Sequence, residues 1–289
     1  MDKRFVIKEF YDQELMALHN IDFNYAMRNP HFHDGYEINL AVTGGVRFYI
    51  EDKEYHLESG TVTLINNNEI HYNVAPPNQK YERYIISFLP EFLTDFNSGG
   101  EDLFEFFVRR PKDFVHCIHL SDKQLRDFIM LADQLKKYSA EGVYARELRR
   151  KLVLTEILLL CNEVFSGNND GVRYQNCFNN RIRPVLSFIR EHLSEELPLE
   201  RLSQEFFISK SHLITLFKDT VGMTPNEYII TLRVMKSREY LKAGYSVVKT
   251  CELIGYGDES HFIRVFKRIA GITPKQYGLK YTYHTDLKS

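Results

Sequence analysis

One stretch of the chain occurs twice. Ser209-Lys-Ser-His-Leu-Ile-Thr-Leu-Phe-Lys-Asp-Thr-Val-Gly-Met-Thr-Pro-Asn-Glu-Tyr228 returns 49 residues later as Asp258-Glu-Ser-His-Phe-Ile-Arg-Val-Phe-Lys-Arg-Ile-Ala-Gly-Ile-Thr-Pro-Lys-Gln-Tyr277, without a gap. Nine of the 20 positions are identical, namely Ser211/Ser260, His212/His261, Ile214/Ile263, Phe217/Phe266, Lys218/Lys267, Gly222/Gly271, Thr224/Thr273, Pro225/Pro274 and Tyr228/Tyr277. A repeat of this kind means one local structure built twice, and it is read before anything else.

The punctuation of each copy is that of a helix followed by a second helix. Ser209 and Asp258 suit an N-cap, where a side-chain oxygen accepts from a free backbone N–H. Gly222 and Gly271 suit a left-handed ending. Thr224-Pro225 and Thr273-Pro274 suit the next start, with Pro where its missing N–H costs nothing. Helical spacing puts Leu213, Leu216, Phe217 and Thr220 on one face of the first copy, and Phe262, Val265, Phe266 and Ile269 on the same face of the second. The opposite faces carry Lys210, Ser211, Ile214, Thr215 and Lys218, and Glu259, Ser260, Ile263, Arg264 and Lys267. Small, polar and basic faces of this kind suit the roughly 12 Å wide major groove of DNA. The two isoleucines are read as exposed and able to meet a thymine methyl.

Shorter helices are expected before each copy, at Leu199–Phe206 and Val247–Ile254, the latter capped by Ser246. The turns would be Phe207-Ile208 and Gly255-Tyr256-Gly257. Two helices joined by a short turn, the second presenting a basic face, make a helix-turn-helix. A helix from Asn226 to about Lys242, with Arg233, Lys236 and Arg238, would set the distance between the two copies. The chain's overall charge of −2 at first speaks against a polyanion partner. The sum conceals an asymmetry: residues 1–177 hold 20 Lys and Arg against 27 Asp and Glu, net −7, while residues 178–289 hold 17 against 12, net +5. The basic half is the half with the repeat. The competing reading is a helical bundle that binds protein.

The run from Ser246 to Tyr277, with its Gly255-Tyr256 turn, its Phe262/Phe266 stripe and its Gly271-Ile-Thr-Pro274 ending, resembles the signature of the AraC/XylS family of bacterial transcription regulators. The resemblance covers about residues 181–277. It departs at Thr250-Cys251, Leu202-Ser203 and Gly278, where the family usually has Ile-Ala, Leu-Ala and Arg. It implies two helix-turn-helix modules gripping consecutive major-groove segments, with RNA polymerase a further candidate partner.

The first half has another texture. Tyr36–Val42, Val46–Ile50, Tyr55–Leu57, Thr61–Ile65 and Tyr81–Phe88 are short β-branched and aromatic runs divided by turn residues, as in an antiparallel sandwich or barrel. Asp122–Tyr138 then has helical spacing, with Ser121 as cap. Glu141–Phe165 reads as a longer helix, apolar nearly all round toward its end, which requires cover on more than one side. The barrel and a second copy of the chain are the covers expected.

His31, His33 and Glu37 share parity, so on one strand they would point to one side, and His71 follows later. Imidazoles and a carboxylate suit a divalent transition ion such as Fe, Mn, Ni or Zn. The spacing resembles the first motif of metal-binding cupins. Asn66, Asn68 and Asn73 fit the second motif poorly. The preferred reading places His33, Glu37 and His71 around an effector cavity, with Arg47, Tyr49 and Tyr72 as weaker candidates and a sugar or similar polar metabolite as ligand. His31, His33, Glu37 and His71 are the metal alternative, and a metal-dependent cupin enzyme fused to a DNA-binding domain is the rival to a non-enzymatic regulator.

Cys117, Cys161, Cys177 and Cys251 are scattered with no CxxC pair, which suggests reduced, cytoplasmic residues. The first nine residues have no apolar core of a signal peptide, and Leu152–Cys161 is too short to span a membrane. The expectation is an α+β multidomain chain. It comprises a cupin-like antiparallel β-barrel at 1–120, a helical dimerisation segment at 121–165, a linker at 166–178, and an all-α domain with two helix-turn-helix motifs at 179–289. Double-stranded DNA, a small effector and a second copy of the chain are the expected partners.

Overall fold

A computed structural model describes residues 14–27, 30–31, 33, 35–51, 53–67, 69–96, 102–108, 110, 114–167, 174–176 and 182–282. The chain divides between Asn176 and Cys177 into two units. The first is β-rich and carries β1 (Leu15–Phe23), β2 (Tyr36–Ala41), β3 (Val46–Ile50), β4 (Lys53–Leu57), β5 (Thr61–Ile65), β6 (His71–Val74), β7 (Lys80–Phe88), β8 (Cys117–His119) and β9 (Tyr174–Asn176). They form a five-stranded sheet, β1-β7-β2-β5-β8, and a four-stranded sheet, β6-β3-β4-β9, with every pairing antiparallel. The α+β class and the antiparallel architecture are those read from the sequence.

A 3-10 turn (Pro90–Phe96), α1 (Glu105–Val108), α2 (Asp122–Tyr138) and α3 (Arg146–Ser166) complete the unit. The larger core lies between the five-stranded sheet and these helices, where Tyr36, Ile38, Leu40, Ile86 and Phe88 meet Phe106, Phe128, Leu154 and Leu158. A second cluster, including Phe48, Tyr55, Tyr81 and Cys117, lies on the other side of that sheet. β2 is buried along its whole length because it serves both sides. Tyr36, Ile38 and Leu40 point to the helices, and the intervening residues point the other way, following the two-residue period of a strand.

Several boundaries differ from expectation. β1 was not legible: it is an edge strand with mixed residues, and its outer positions, including Ile21 and Phe23, are exposed. β6 is only four residues long and β8 only three. α3 begins at Arg146, not Glu141, after a left-handed Ala145. The expected linker at 166–178 contains β9, whose Tyr174, Gln175 and Asn176 pair with Tyr55, Glu54 and Lys53. That part of it belongs to the sheet, because an edge of β4 was available to pair. Residues 168–173, Asn68, Cys177 and the first 13 residues lie outside the described residues.

α3 has two apolar sides. Val153, Leu154, Ile157, Leu158 and Cys161 are buried in the unit, while Leu148, Leu152 and Leu159 remain 53%, 49% and 40% exposed.

The second unit is helical throughout the described residues: α4 (Ile182–Glu191), α5 (Leu199–Glu205), α6 (Lys210–Val221), α7 (Pro225–Lys242), α8 (Val247–Leu253), α9 (Glu259–Ala270) and α10 (Pro274–Thr282). The repeat in sequence is a repeat in packing. Ser209 accepts from the His212 N–H at the start of α6, and Asp258 accepts from Ser260 and His261 at the start of α9. Gly222 and Gly271 end these helices at φ +77° and +70°. Thr224 forms a reciprocal capping box with Glu227, and Thr273 does the same with Gln276. Phe217 meets Tyr228 edge-on at 5.8 Å, and Phe266 meets Tyr277 in the same way at 5.5 Å.

One close approach joins the two halves of the repeat. Gly255, at φ +74° after α8, lies so near Ser194 that a Cβ there would sit 2.2 Å from the Ser194 carbonyl oxygen. Arg233 of α7 donates to the carbonyls of Leu193 and Glu195 on either side. No helix among the described residues is long and apolar enough to cross a membrane.

Candidate functional site

The faces singled out by the repeat are presented by α6 and α9. Their inner stripes are buried: Leu213, Leu216 and Phe217 in one, Phe262, Val265 and Phe266 in the other, with Ile269 half-buried. The side chain of Thr220 lies outside the described residues. On the outer faces Ser211, Thr215 and Lys218, and Glu259, Ser260, Arg264 and Lys267, are all exposed. One expectation is overturned. Ile214 and Ile263 are half-buried, not exposed, and Ile214 lines an apolar groove with Leu202, Pro225 and Ile229. Lys210 is exposed but ion-paired with Glu200 across the turn from α5. Exposed His212 and His261, identical in both copies and set beside Ser211 and Ser260, were missed. Their identity at the 49-residue offset was the available signal. The cations of α7 hold structure: Arg233 clasps the 193–195 segment, Lys236 pairs with Glu239, and Arg238 is buried with its guanidinium 5.6 Å from the Tyr277 ring centroid.

The second feature is a cavity between the two sheets. It measures about 60 Å³ and is lined by residues of β1, β2, β3, β6 and β7 together with Tyr25, Met27, His31 and His33. Four of the residues singled out in the sequence converge there. His31, His33, Glu37 and His71 are 7%, 1%, 8% and 1% exposed. The imidazole nitrogens of His31, His33 and His71 lie within 4.8 Å of one another. Glu37 Oε2 is 3.2 Å from His33 Nε2, and Oε1 is 3.9 Å from His71 Nε2.

The route to this convergence differs from the expected one. His31 and His33 do not continue β2, which starts at Tyr36. His31 instead forms an isolated bridge with His71, the two backbones exchanging hydrogen bonds of 3.1 and 2.9 Å. His33 Nδ1 donates to the Gly35 carbonyl at 2.7 Å, and His71 Nδ1 donates to the Glu69 carbonyl at 2.9 Å. A carbonyl oxygen only accepts, so each ring carries a proton on Nδ1, and in neutral His71 that leaves the Nε2 lone pair facing the cavity.

Burial pulls the His71 imidazole down to about 4, against the attraction of Glu37. Burial pushes the Glu37 carboxyl up, but the hydrogen bond with His33 and the histidine charges overcome this and hold it well below the usual carboxylate range. Near neutral pH the pair is therefore an ionised Glu37 beside a neutral His71.

Arg47, Tyr49 and Tyr72 do not line the cavity. Alternation along β3 turns Phe48 inward and Arg47 and Tyr49 outward, and the pairing of Tyr49 with Tyr72 puts their rings in a stack at 4.4 Å on that outer side. Asn39, Asn73, Arg83 and Ser87 were missed and do line it. Arg83 is held by Asp22 at 2.8 Å and by the faces of Tyr25 and Tyr81 at 4.1 and 4.5 Å. Behind His71, the Glu69 carboxylate accepts from Arg110 at 3.2 Å and lies 3.1 Å from His116 Nε2.

A family model described as a helix-turn-helix domain matches residues 202–279, and one described as an AraC-like ligand binding domain matches residues 14–141. The chain is 26% identical over 232 residues to the uncharacterized HTH-type transcriptional regulator YbfI of Bacillus subtilis, covering 79% of each chain. It is 22% identical over 271 residues to the HTH-type transcriptional activator RhaS of Citrobacter koseri, covering 84% of this chain and 90% of that one. Among solved structures, ToxT of Vibrio cholerae O395 aligns with 93% of this chain and 98% of its own, at 12% identity and a TM-score of 0.36. The C-terminal domain of the two-component response regulator yesN of Fusobacterium nucleatum aligns with 35% of this chain and 99% of its own, at 27% identity and a TM-score of 0.34.

Proposed function

The chain belongs to the AraC family of transcription regulators, with a ligand-binding domain and a helix-turn-helix domain, and on that premise we propose how it divides the work. α6 and α9 enter successive major-groove segments. Thr215 and Arg264 stand at equivalent positions of the two copies and read base edges, while Lys218 and Lys267 hold phosphates. The observation that carries this is the pair of recognition helices with matched caps, matched buried stripes and matched exposed faces. The half-buried Ile214 and Ile263 support those faces instead of extending them.

The cavity between the sheets is the effector site, and its occupancy biases DNA binding, a coupling free energy between two sites. Ligand pockets for metabolites usually measure about 300–1,000 Å³. A cavity of about 60 Å³ suits a much smaller occupant, and a sugar enters this reading only if the two sheets open. The relatives are regulators, which supports a binding role for the site over a catalytic one. A second copy of the chain covers the outer leucines of α3, and RNA polymerase is the further partner of the DNA-bound form.

The test is a titration of a selected duplex, followed by fluorescence anisotropy at several salt concentrations. Arg264→Ala should cost about 1–3 kcal/mol and relax base preference at one position. Lys218→Ala should weaken all sequences alike and reduce the salt slope by about 1. An Arg264→Ala protein with unchanged affinity and preference would remove α9 as a reader.

A further inference from the structure

We propose that His31, His33, Glu37 and His71 bind one divalent first-row transition metal ion in the cavity between the sheets. The inference rests on the reading of that cavity as the effector site, and it names the chemical class of the occupant.

Four observations carry it. Three imidazole nitrogens lie within 4.8 Å of one another in a closed space. Three nitrogens bound to one ion at about 2.1 Å lie roughly 3.4–3.6 Å apart, so side-chain shifts on the order of 1 Å or less close the shell. The orientation of the rings is fixed from outside. His33 and His71 each spend their Nδ1 proton on a backbone carbonyl, which is how metal-ligating histidines are aimed.

The third observation is electrostatic. With its proton on Nδ1, His71 turns its Nε2 lone pair toward Glu37 Oε1 at 3.9 Å, while His33 Nε2 lies 3.2 Å from Oε2. His71 Nε2 is buried and finds no hydrogen-bond partner among the described residues. A carboxylate oxygen and a lone pair directed at one another repel until a positive charge stands between them. A proton shared by His33 and Glu37 would relieve one pair and leave His71 unserved; a divalent ion serves all four groups.

The fourth is size. About 60 Å³ accommodates an ion with a few waters, since a water needs about 10–15 Å³ on this measure. Three imidazoles with one carboxylate favour Mn, Fe, Co, Ni, Cu or Zn over Mg or Ca, which prefer all-oxygen shells. The backbone bridge between His31 and His71 ties ligands from distant parts of the chain into one frame.

The experiment uses the full chain, stripped with chelator and titrated with Co²⁺ and then with Zn²⁺ in competition. One ion per chain is expected, with visible absorption bands from Co²⁺ that Zn²⁺ abolishes. His33→Gln and His71→Gln should each weaken binding by on the order of 100-fold or more, since even supporting partners of a ligand are worth 10–100-fold. Tyr72→Phe, on the outer side of the same strand, should bind as the original does. Far-UV circular dichroism of the metal-free variants separates a lost ligand from a lost fold. No uptake of Mn, Fe, Co, Ni, Cu or Zn by the stripped chain overturns the proposal, as does uptake that folded His33→Gln and His71→Gln leave unchanged. Stoichiometric uptake with no effect on duplex affinity supports the metal site and overturns the effector role of the cavity.

Discussion

At the scale of single residues, the first unit buries charge, and Glu69 shows the consequence. Burial pushes its carboxyl up, but His116, Arg110 and the Asn66 N–H overcome this and hold it below the ordinary carboxylate range. A depressed carboxylate contributes stability that is present above the unfolded value near 4.5 and is lost as pH falls below it. The first unit should therefore lose stability with acid from about pH 4.5 downward. Glu69→Gln should flatten that dependence while destabilising the unit at neutral pH by about 3–5 kcal/mol, because Arg110 stays half-buried on the carbonyls of Phe107 and Leu64 with its carboxylate gone. Denaturant unfolding from pH 3 to 7 checks both, and an unchanged acid slope would show that Glu69 does not govern it.

At the scale of elements, α3 poses the clearest demand. Leu148, Leu152 and Leu159 are spaced four and seven residues apart, so they form one stripe on the side away from the buried residues. A second α3 packed along that stripe would make a dimer. Leu152→Asp should then shift the chain from dimer to monomer in sedimentation velocity, with little loss of helical signal because the position is exposed. A dimer that survives Leu148→Asp/Leu152→Asp would place the interface elsewhere.

The same scale explains what could be read from the sequence. α2, β3 and β5 were legible to the residue, since a cap or a turn marks each end and the period is strong. β1 was not, because an edge strand with one wet side need not alternate cleanly. β9 was not, because three residues in a polar stretch become a strand only when a neighbouring edge accepts them. The four residues of the cavity were legible as residue types at suggestive spacing, but their meeting depends on a bridge between His31 and His71 that no local pattern encodes. Arg47, Tyr49 and Tyr72 were misplaced for the opposite reason: once β3 and β6 exist, alternation alone turns them outward. Arg83, Asn39 and Asn73 come from three different strands, and only their pairing order brings them to one cavity.

At the scale of the whole molecule, the charge asymmetry and the repeat point the same way. The basic half holds the paired helices α6 and α9, and the acidic half holds the cavity where His31, His33 and His71 converge. The contact of Gly255 with Ser194, together with the grip of Arg233 on the same segment, has a consequence for the DNA. It makes the two helices a ruler of fixed length. A flexible tether would let the second helix follow its half-site one full turn, about 10–10.5 base pairs, along the duplex. A rigid pair cannot. Inserting either 5 or 10 base pairs between the two contacted segments should then abolish joint binding, a loss on the order of 100-fold or more. Recovery at 10 base pairs alone would mean the ruler bends. Gly255→Ala, which forces the segment away from Ser194, should raise tolerance to spacing before it alters the bases preferred, so the operator's grammar would be written partly by a residue that never meets it.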